Sequence, residues 1–402
     1  MTTPSELSES ARAVLTALLE TSHATRPELS VASGLSKPTV SLAIAELEGA
    51  QLVSVVQRRQ GATGRSAVVY GLGDRSGWVL GLDLGAAHLE ITAWSLDGRQ
   101  LDHQRLKSRA GLRFKTPDLL TLAAETTRGV RRRATRRKGR LAAVAVAVPT
   151  VVSQSSNGDL PEPLTSAEAL QPAAIAQALR LPRSVPVLFE NNVNCAAIAE
   201  HNRGAARGRE SFAYVQIGLG IGLGAVIHGR LLRGAHGAAG EISFLPFPWA
   251  PDANPTSDAL ESYLGSSGLL RRSRDAWPDH AGPPPATAEE LFGQAAAGLE
   301  PAVALVQRHA EDAGRLVAAV AAVLDPGLVV LGGGVGKNPQ LLPGIRRTVK
   351  RLNGYTDVAL SELGDAATVE GAAVIATEHA LNGILGAQRR RGTPLVPSTT
   401  EG

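Results

Sequence analysis

The chain has 402 residues, of which 44% are hydrophobic and 19% charged, and its net charge is +4. This length favours two or three domains, and the small net charge does not by itself indicate a nucleic-acid binder. A single cysteine, Cys195, excludes an intrachain disulfide and a metal site built from several cysteines. No apolar run reaches the ~18 residues of a membrane span and no signal peptide is visible, so we expect a cytoplasmic protein without membrane partners.

The first 50 residues have the pattern of three short helices. Apolar residues at helical spacing predict the first helix over Glu9 to Glu20. The segment Thr25 to Glu28 is a capping box that predicts the start of the second helix, and Gly34 predicts its end. Ser36 is expected to cap a third helix with Pro38 in its first turn. Two short helices joined through a glycine turn are typical of a helix-turn-helix.

Two strands are predicted next, over Gln51 to Gln57 and Ser66 to Leu72, with the basic loop RRQGATGR between them. Together these elements predict a winged helix-turn-helix over residues 1–73, with the third helix in the major groove of DNA. Arginines of the wing would contact phosphates or the minor groove. The predicted DNA contacts are Ser36, Lys37, Thr39, Ser41, Leu42, Arg58, Arg59 and Arg65.

Charge does not exclude the alternative, a three-helix module that binds protein. Residues 1–75 hold seven Lys and Arg and seven Asp and Glu. The basic residues are nevertheless grouped on the third helix and the wing, which favours DNA. A later basic run, Arg128 to Arg140, ends a predicted helix over Pro117 to Lys138. We interpret that run as a solvated helix end, where arginine favours the helix dipole, rather than as a second nucleic-acid site.

A second set of elements follows a short linker. Trp78 to Leu84 predicts a buried strand that ends near Asp83 and Gly85, and Leu89 to Leu96 returns antiparallel to it. Leu141 to Val148 is another buried strand, and Val185 to Phe189 predicts a further one. The polar residues after that last strand are Glu190, Asn191, Asn192 and Asn194. Functional sites of α/β folds lie at such carboxyl ends.

Glycine-rich segments come next in the chain. The stretch VQIGLGIGLGAVIHG contains Gly218 and Gly220, and RGAHGAAGEISF contains Glu241. A third glycine segment, DPGLVVLGGGVG, follows a predicted helix and contains Gly332 and Gly333. Glycines at a strand end let backbone N–H groups approach a phosphate.

These segments resemble the ROK family (repressors, open reading frames and sugar kinases) of the actin-like sugar-kinase superfamily, roughly from Ala11 to Gly383. The resemblance implies an α/β fold in which the winged helix-turn-helix precedes a two-lobed actin-like, ribonuclease H-like kinase fold. One lobe would comprise about 74–190 with 370–386, and the other 191–369. Residues 387–402 are polar and are expected to form a disordered tail.

The sequence departs from the family's kinases at catalytic positions. Those kinases carry E-N-D where this chain has Glu190, Asn191 and Asn192, and their Asp is the general base. A carboxamide such as that of Asn192 cannot take the proton of a sugar hydroxyl near neutral pH. The first phosphate loop, usually D-I-G-G-T, reads DLGAAH, in which Ala86 and Ala87 replace a glycine and a threonine. The degenerate nucleotide site would comprise Asp83, Gly85, Gly218, Gly220, Gly332 and Gly333.

The family's zinc site has also lost its ligands in this chain. Phe244 stands where the family has the His of G-E-I-G-H, and the following segment contains no Cys, although Glu261 is retained. Zinc in such a site needs four nitrogen or sulfur ligands. We therefore expect no metal and no cofactor. Packing by Phe244, Phe247, Pro248 and Trp249 is the expected substitute.

Three alternatives remain for the function. The first is a transcriptional regulator, a repressor, that binds an inverted-repeat operator as a homodimer or homotetramer and a sugar or sugar phosphate through Asn191, Asn192 and Glu241. The second is an ATP-dependent sugar kinase with an accessory domain. The third is a regulator whose sensor part no longer binds sugar. We favour the first, and we expect no enzymatic activity.

Overall fold

The computed structural model describes residues 7–60, 66–85, 88–108, 115–153, 171–246, 256 and 258–386. These residues divide into two units. The first comprises residues up to 150, 171–192 and those from Val369 onward, and the second comprises 151–153 and 193–368. No helix among the described residues is both long and apolar enough to cross a membrane.

Three helices and a three-stranded sheet form the amino-terminal module, which we define as residues 7–60 and 66–72. Its elements are α1 (Glu9–Thr21), β1 (His23–Thr25), α2 (Arg26–Ser33), α3 (Lys37–Gly49), β2 (Val53–Gln60) and β3 (Ser66–Leu72). The sheet order is β1-β3-β2, and both pairs are antiparallel. The core between helices and sheet is aliphatic, with Leu15, Leu18, Leu29, Ile44 and Leu47 fully buried.

The predicted helix caps are present. The Thr25 side chain accepts a hydrogen bond from the Glu28 N–H, and the Glu28 carboxylate accepts one from the Thr25 N–H at 2.6 Å. Gly34 ends α2 with φ +70°, a conformation that glycine adopts without strain. Ser36 caps α3 by accepting from the Thr39 N–H. Local side-chain chemistry therefore fixes where α2 and α3 begin and how they are joined.

The first unit continues as an α/β sheet. Its elements are β4 (Trp78–Leu84), β5 (His88–Ser95), β6 (Gln100–Lys107), α4 (Thr116–Lys138), β7 (Leu141–Val148), α5 (Pro172–Leu179) and β8 (Val187–Asn191). The strand order is β6-β5-β4-β7-β8, in which β4, β7 and β8 are parallel and β5 and β6 return antiparallel. The predicted strand at 185–189 is shifted to Val187–Asn191, and it is largely half-buried rather than buried, with Glu190 as its buried residue.

The second unit is built on another five-stranded sheet, in the order β11-β10-β9-β12-β13. Its helices and strands are α6 (Asn192–Arg203), β9 (Phe212–Ile217), β10 (Ile221–Ile227), β11 (Arg230–Leu231), α7 (Ala259–Leu264), α8 (Ser266–Ala276), α9 (Ala288–Ala296), α10 (Glu300–Leu324), β12 (Leu328–Gly332), α11 (Gly333–Gly336), α12 (Leu342–Leu352) and β13 (Asp357–Leu360). Short 3-10 turns lie at Ile242–Phe244, Asp279–Ala281 and Gly364–Ala366. The glycine-rich stretch VQIGLGIGLGAVIHG, which its pattern would allow as one strand, lies in two antiparallel strands, β9 and β10, joined by a turn at Gly218 to Gly220.

The closing helix, α13 (Ala367–Leu385), packs on the first sheet. A Cβ added to Gly81 of β4 would lie 2.6 Å from both the Val369 carbonyl and the Ala373 nitrogen. Only a glycine fits under the helix at this point, because such distances are well below any real Cβ contact.

Candidate functional site

The carboxyl edge of the first sheet gathers two buried carboxylates. Asp83 of β4 is in register with Ala147 of β7, which is in register with Glu190 of β8. Residues in register on neighbouring strands project to the same face of a sheet. Asp83 and Glu190 are 3% and 5% exposed, so the predicted strand-end residues are fixed in one row at one edge.

Asp83 is paired with His88, a residue that the sequence did not single out. The His88 Nε2 lies 2.7 Å from the Asp83 Oδ2, and this hydrogen bond is the main cause that raises the pKa of His88. A Cβ added to Gly85 would lie 2.5 Å from the His88 Cε1, so the imidazole ring covers the Gly85 backbone. The His88 ring thus lies against the backbone at Gly85, where a phosphate would lie in a phosphate loop. Ala86 and Ala87 lie outside the described residues.

Polar groups at the end of β8 are tied to the sheet. The Asn191 N–H donates to the Glu190 Oε1 at 3.0 Å, and the Asn191 Nδ2 donates to the Thr150 carbonyl at 3.3 Å. The latter bond links the ends of β7 and β8, so the Asn191 side chain has a structural role. Asn192 is half-buried and begins α6 without an intervening loop.

The edge of the second sheet carries the glycine turn between β9 and β10. The Gly218 N–H donates to the Gly220 carbonyl at 3.0 Å, and the Ser266 N–H donates to the Gly218 carbonyl at 2.8 Å. The Ile221 N–H donates to the Glu261 Oε2 at 3.3 Å. One backbone N–H that a phosphate could use at this turn is therefore already bonded to a carboxylate.

The structure brings two of the predicted glycine segments together. A Cβ added to Gly218 would lie 3.5 Å from the Gly334 nitrogen, which places the β9–β10 turn against the start of α11. Gly333 has φ +80°, and a Cβ there would lie 2.4 Å from the Ile217 carbonyl oxygen. A Cβ on Gly332 would lie 1.8 Å from the Tyr214 hydroxyl. Close packing inside the second unit therefore requires glycine at positions 332 and 333, whereas a Cβ on Gly218 would make an ordinary van der Waals contact.

Glu241 lies near the same turn. The Leu223 N–H donates to the Gly240 carbonyl at 2.9 Å, while Glu261 holds Ile221, two residues earlier on β10. Ile221 and Leu223 lie roughly 6.6 Å apart along the strand. Glu261, bonded to Ile221, and Glu241, next to the Gly240 that is bonded to Leu223, therefore lie near the same part of β10. Burial, and then the charge of Glu261, raise the pKa of Glu241. The second unit thus presents a carboxylate pair, whereas Asn191 and Asn192 belong to the first unit.

The donor set does not fit the family's zinc site. Phe244 lies in the 3-10 turn Ile242–Phe244 and is 41% exposed. The prediction that its ring packs in place of the zinc site is therefore wrong for this residue. Phe247, Pro248 and Trp249 lie outside the described residues. Cys195 is buried in α6, and the described residues contain no group of three or more His, Cys, Asp or Glu suited to a metal ion.

The residues predicted to contact DNA lie on α3, at its cap, and on β2. Lys37 and Leu42 are exposed, whereas Ser41 and Thr39 are half-buried. The hydroxyls of Ser36 and Thr39 lie 2.8 Å apart, so capping already uses both. Arg58 and Arg59 are exposed neighbours on β2, and successive strand residues point to opposite faces. Arg65 lies outside the described residues.

The basic run on α4 makes at least one internal contact. The Arg133 Nε lies 2.6 Å from the Asp102 Oδ2 on β6. Burial alone would raise the pKa of Asp102, but the bond to Arg133, with other hydrogen bonds, lowers it. One arginine of the run therefore joins α4 to the sheet. This contact accords with a structural interpretation of that part of the run.

The model of the ROK family matches residues 79–379, which is most of the chain. The chain belongs to the ROK family. The match covers both five-stranded sheets and begins after the amino-terminal module.

Curated relatives include regulators and enzymes. The chain is 25% identical over 240 residues to the xylose repressor of Bacillus subtilis, covering 58% of this chain and 59% of that protein. It is 31% identical over 165 residues to a glucokinase of Halalkalibacterium halodurans, covering 38% of this chain and 50% of that protein. It is also 33% identical over 197 residues to the bifunctional enzyme NanE/NanK of Brucella melitensis, covering 48% of this chain and 36% of that protein. The chain thus spans about a third to a half of the first curated relatives that it matches.

Solved structures share the fold. A ROK family transcriptional regulator, a homologue of the E. coli MLC protein, superimposes with a TM-score of 0.71 at 22% identity, covering 94% of this chain and 98% of the other. A ROK glucokinase from Streptomyces griseus in complex with glucose and AMPPNP gives a TM-score of 0.61 at 22% identity, covering 75% of this chain and all of the other. At these identities the likeness establishes the mixed α/β, actin-like kinase fold.

Two site residues escaped the sequence analysis or were not assigned a role by it. His88 is the last residue of DLGAAH, and Asp83 is its first. Their pairing follows from the antiparallel arrangement of β4 and β5. Glu261 was noted as retained, but its bond to the Ile221 N–H depends on how α7 packs against β10. A search for polar residues across the predicted hairpin would have found His88, whereas Glu261 required the tertiary fold.

Proposed function

We propose that the chain is a DNA-binding transcriptional regulator, a repressor, whose kinase-like part binds a sugar effector. The observation that carries this proposal is the amino-terminal module, which precedes the ROK domain and has capped helices α2 and α3 followed by the β2–β3 hairpin. We assign residues 1–73 to a winged helix-turn-helix and 74–386 to the sensor domain. The lobes of that domain would comprise about 74–190 with 370–386, and 191–369.

The extent of the structural likeness supports this assignment. The fold of the ROK regulator extends over 94% of this chain, whereas that of the Streptomyces griseus glucokinase extends over 75%. The difference corresponds in size to the amino-terminal module. Exposed Lys37 begins α3, and exposed Arg58 and Arg59 lie on β2, which supplies cations for phosphate contacts. We further propose a homodimer or homotetramer on an inverted repeat, because one short helix reads only a few base pairs.

A sugar effector is favoured by the polar groups at the two sheet edges. Asn192 offers a donor and an acceptor for a hydroxyl that it cannot deprotonate. Glu241 and Glu261 could accept hydrogen bonds from sugar hydroxyls. Glu261 already raises the pKa of Glu241 by charge repulsion, and the same two carboxylates would repel a phosphate. We therefore favour an unphosphorylated sugar over a sugar phosphate, held by Asn191, Asn192 and Glu241. The alternative is a regulator that no longer binds sugar. A ligand screen in which no sugar or sugar phosphate binds would favour it.

A sugar kinase is the second candidate, because curated relatives at 31% to 33% identity include sugar kinases. Asn192 stands at the position of the general base, whose assistance supplies roughly 10²–10⁴-fold. The His88 ring on Gly85 and the Glu261 carboxylate on the Ile221 N–H oppose nucleotide phosphates at both loops. The described residues of these loops therefore do not fit ATP, and we derive no phosphoryl transfer.

The test measures DNA binding and kinase turnover on the same intact protein. Gel shifts against genomic fragments, including its own promoter, should give a specific band that weakens with salt. Lys37→Ala should weaken that band, whereas Lys350→Ala, which removes an exposed lysine from α12, should not. ATP-dependent phosphorylation of glucose, N-acetylglucosamine, mannose and xylose should be undetectable. Absence of specific binding to any fragment, or turnover at ordinary kinase rates, would contradict the proposal.

A further inference from the structure

The outer face of α3 is apolar. The helix buries Val40, Ala43, Ile44 and Leu47 against the module. At roughly 100° per residue, the side directly opposite this stripe carries Pro38, Leu42, Ala45 and Gly49. All four are exposed, and Leu42 is 74% exposed. A helix that only had to remain soluble would carry charges on this face.

Internal packing does not explain these residues. A Cβ added to Gly49 would meet no atom within 4 Å, so the fold does not require a glycine there. Leu42 contributes little to the core at its exposure, and leaving a leucine in water forgoes the gain of burying it. The small and apolar residues on this face therefore suit a surface that closely approaches α3 from outside.

The polar groups that flank this face are mostly used within the module. The Glu46 carboxylate accepts from the Ser8 N–H at 2.7 Å and from the Ser8 hydroxyl at 2.6 Å, which ties α3 to the start of α1. The hydroxyls of Ser36 and Thr39 bond to each other. Base-edge hydrogen bonding from the middle of α3 is therefore left chiefly to Ser41, and Leu42 occupies the centre of the exposed face.

Charge complementarity favours DNA as the occupant of this face. Lys37 lies at the positive amino end of α3, and Arg58 is exposed on the adjoining hairpin. These cations would meet phosphates on either side of a groove while the helix enters it. The apolar feature that the major groove offers is the C5-methyl group of thymine, which aliphatic side chains contact.

We infer that Leu42, with Ala45 beside it, reads thymine methyl groups in the major groove of the operator. This inference rests on the proposed DNA-binding function and assigns part of its sequence specificity to apolar contact. Each half-site should carry at least one thymine whose methyl group is required. Phosphate contacts from Lys37 and Arg58 would set affinity without selecting that base.

The experiment begins with duplexes that the intact protein selects from a randomised pool. Each thymine of the selected duplex is then replaced by uracil, which removes only the methyl group. At least one replacement per half-site should weaken binding about four-fold, the ratio that corresponds to ~0.8 kcal/mol for one buried methyl-sized group. Leu42→Ala should bind the thymine duplex correspondingly less well and should no longer distinguish it from the uracil duplex.

Two controls separate this inference from the function that it rests on. Val323→Ala truncates another exposed aliphatic residue, 81% exposed on α10, and should leave both affinities unchanged. Lys37→Ala should weaken binding to thymine and uracil duplexes equally.

If the protein binds DNA specifically but no uracil replacement matters, or Leu42→Ala keeps the thymine preference, the methyl readout is wrong while the regulator proposal stands. If Leu42→Ala instead dissociates the oligomer, this face joins copies of the chain and the inference is overturned. If no duplex is selected, the DNA-binding proposal itself fails.

Discussion

Asn192 begins α6 directly after β8. The resemblance to the family's kinases implies that this is the position of their general base. Its carboxamide can bind a hydroxyl but cannot accept the proton that phosphoryl transfer releases. Asp83, at the end of β4, is bonded to His88 rather than exposed at an open loop. Under the proposed function, a group that can bind a hydroxyl is kept at this site and the proton acceptor is lost, so a ligand could bind without being phosphorylated.

The first residue-scale prediction restores the missing base. Asn192→Asp should yield no kinase activity with glucose, N-acetylglucosamine, mannose or xylose, because His88 still covers Gly85. A coupled assay with ATP measures this, and the double variant Asn192→Asp, His88→Thr separates the two obstacles. Turnover by the single variant within the ~1–100 s⁻¹ of typical kinases would show that the phosphate loops remain competent.

The second residue-scale prediction uses the raised pKa of Glu241. Burial and the neighbouring Glu261 raise the pKa of this carboxyl above its ordinary value of 4.5. Between the unfolded and folded pKa values the folded state binds more protons, so stability falls as pH rises through that window. Glu241→Gln should therefore raise the melting temperature at pH 7, and the gain should vanish below about pH 4.

The control for this prediction is Glu210→Gln, which changes an exposed glutamate outside the sheet edge. Its melting temperature should follow that of the unmodified protein at every pH. An equal gain for both variants would mean that net charge, rather than the site, controls the effect. A lower melting temperature for Glu241→Gln at pH 7 would contradict the carboxylate pair as a source of strain.

At the scale of elements, α10 is joined to α7 and α8 through one buried carboxylate. The Asp312 Oδ2 accepts from the Tyr263 hydroxyl at 2.7 Å, and its Oδ1 accepts from Arg315 at 2.8 Å. The Arg272 guanidinium lies 4.1 Å from the centre of the Tyr263 ring and 3.6 Å from Asp312. The cluster fixes the helices that cover the second sheet.

Removing this carboxylate should be strongly destabilising. Asp312→Ala leaves the half-buried Arg272 without its counter-charge and should lower the free energy of unfolding by about 3–5 kcal/mol. Denaturant unfolding measures the loss. Glu311→Ala, at the exposed neighbouring position of the same helix, should change it by less than about 0.5 kcal/mol. Equal effects of the two variants would show that the cluster does not hold α8 on α10.

The same cluster predicts sensitivity to acid. His309 is fully buried, and burial, followed by the charge of Arg272, lowers its pKa to about 3. As pH falls below the ordinary value of 6.5, the unfolded chain binds a proton that the folded chain does not, so stability is lost between about pH 6.5 and 3. His309→Gln should flatten this part of the stability profile. An unchanged slope between these pH values would show that His309 does not contribute to the acid sensitivity.

Elements with local signals could be predicted from the sequence, and elements that depend on tertiary pairing could not. The capping box at Thr25 and the glycine at Gly34 predicted α2 because both act within a few residues. β1 is three residues long and exists only through pairing with β3. Among site residues, the glycine turns were predicted from composition, whereas the Glu261 bond to Ile221 depends on the packing of α7.

The chain joins the amino-terminal module to a ROK domain, and under the proposed function that module binds DNA while the domain senses a ligand. A ligand can change DNA affinity only by its differential affinity for two states of the protein. The family zinc site is not needed for such a response. The purified protein should carry no stoichiometric zinc, and chelators should leave its melting temperature unchanged. Elemental analysis that finds about one zinc per chain would contradict this prediction.

The dependence of DNA affinity on sugar is the decisive measurement for a regulator that senses a sugar. The dissociation constant of the intact protein for a selected duplex is measured by fluorescence anisotropy, with and without each neutral sugar and its phosphate. We expect at least one neutral sugar to change the dissociation constant severalfold, whereas its phosphate should not. Glu241→Ala should abolish the response to the sugar while DNA binding persists. Specific DNA binding that no sugar alters would contradict a sensing role and favour a scaffold, and a response to the phosphate alone would contradict the carboxylate-pair site.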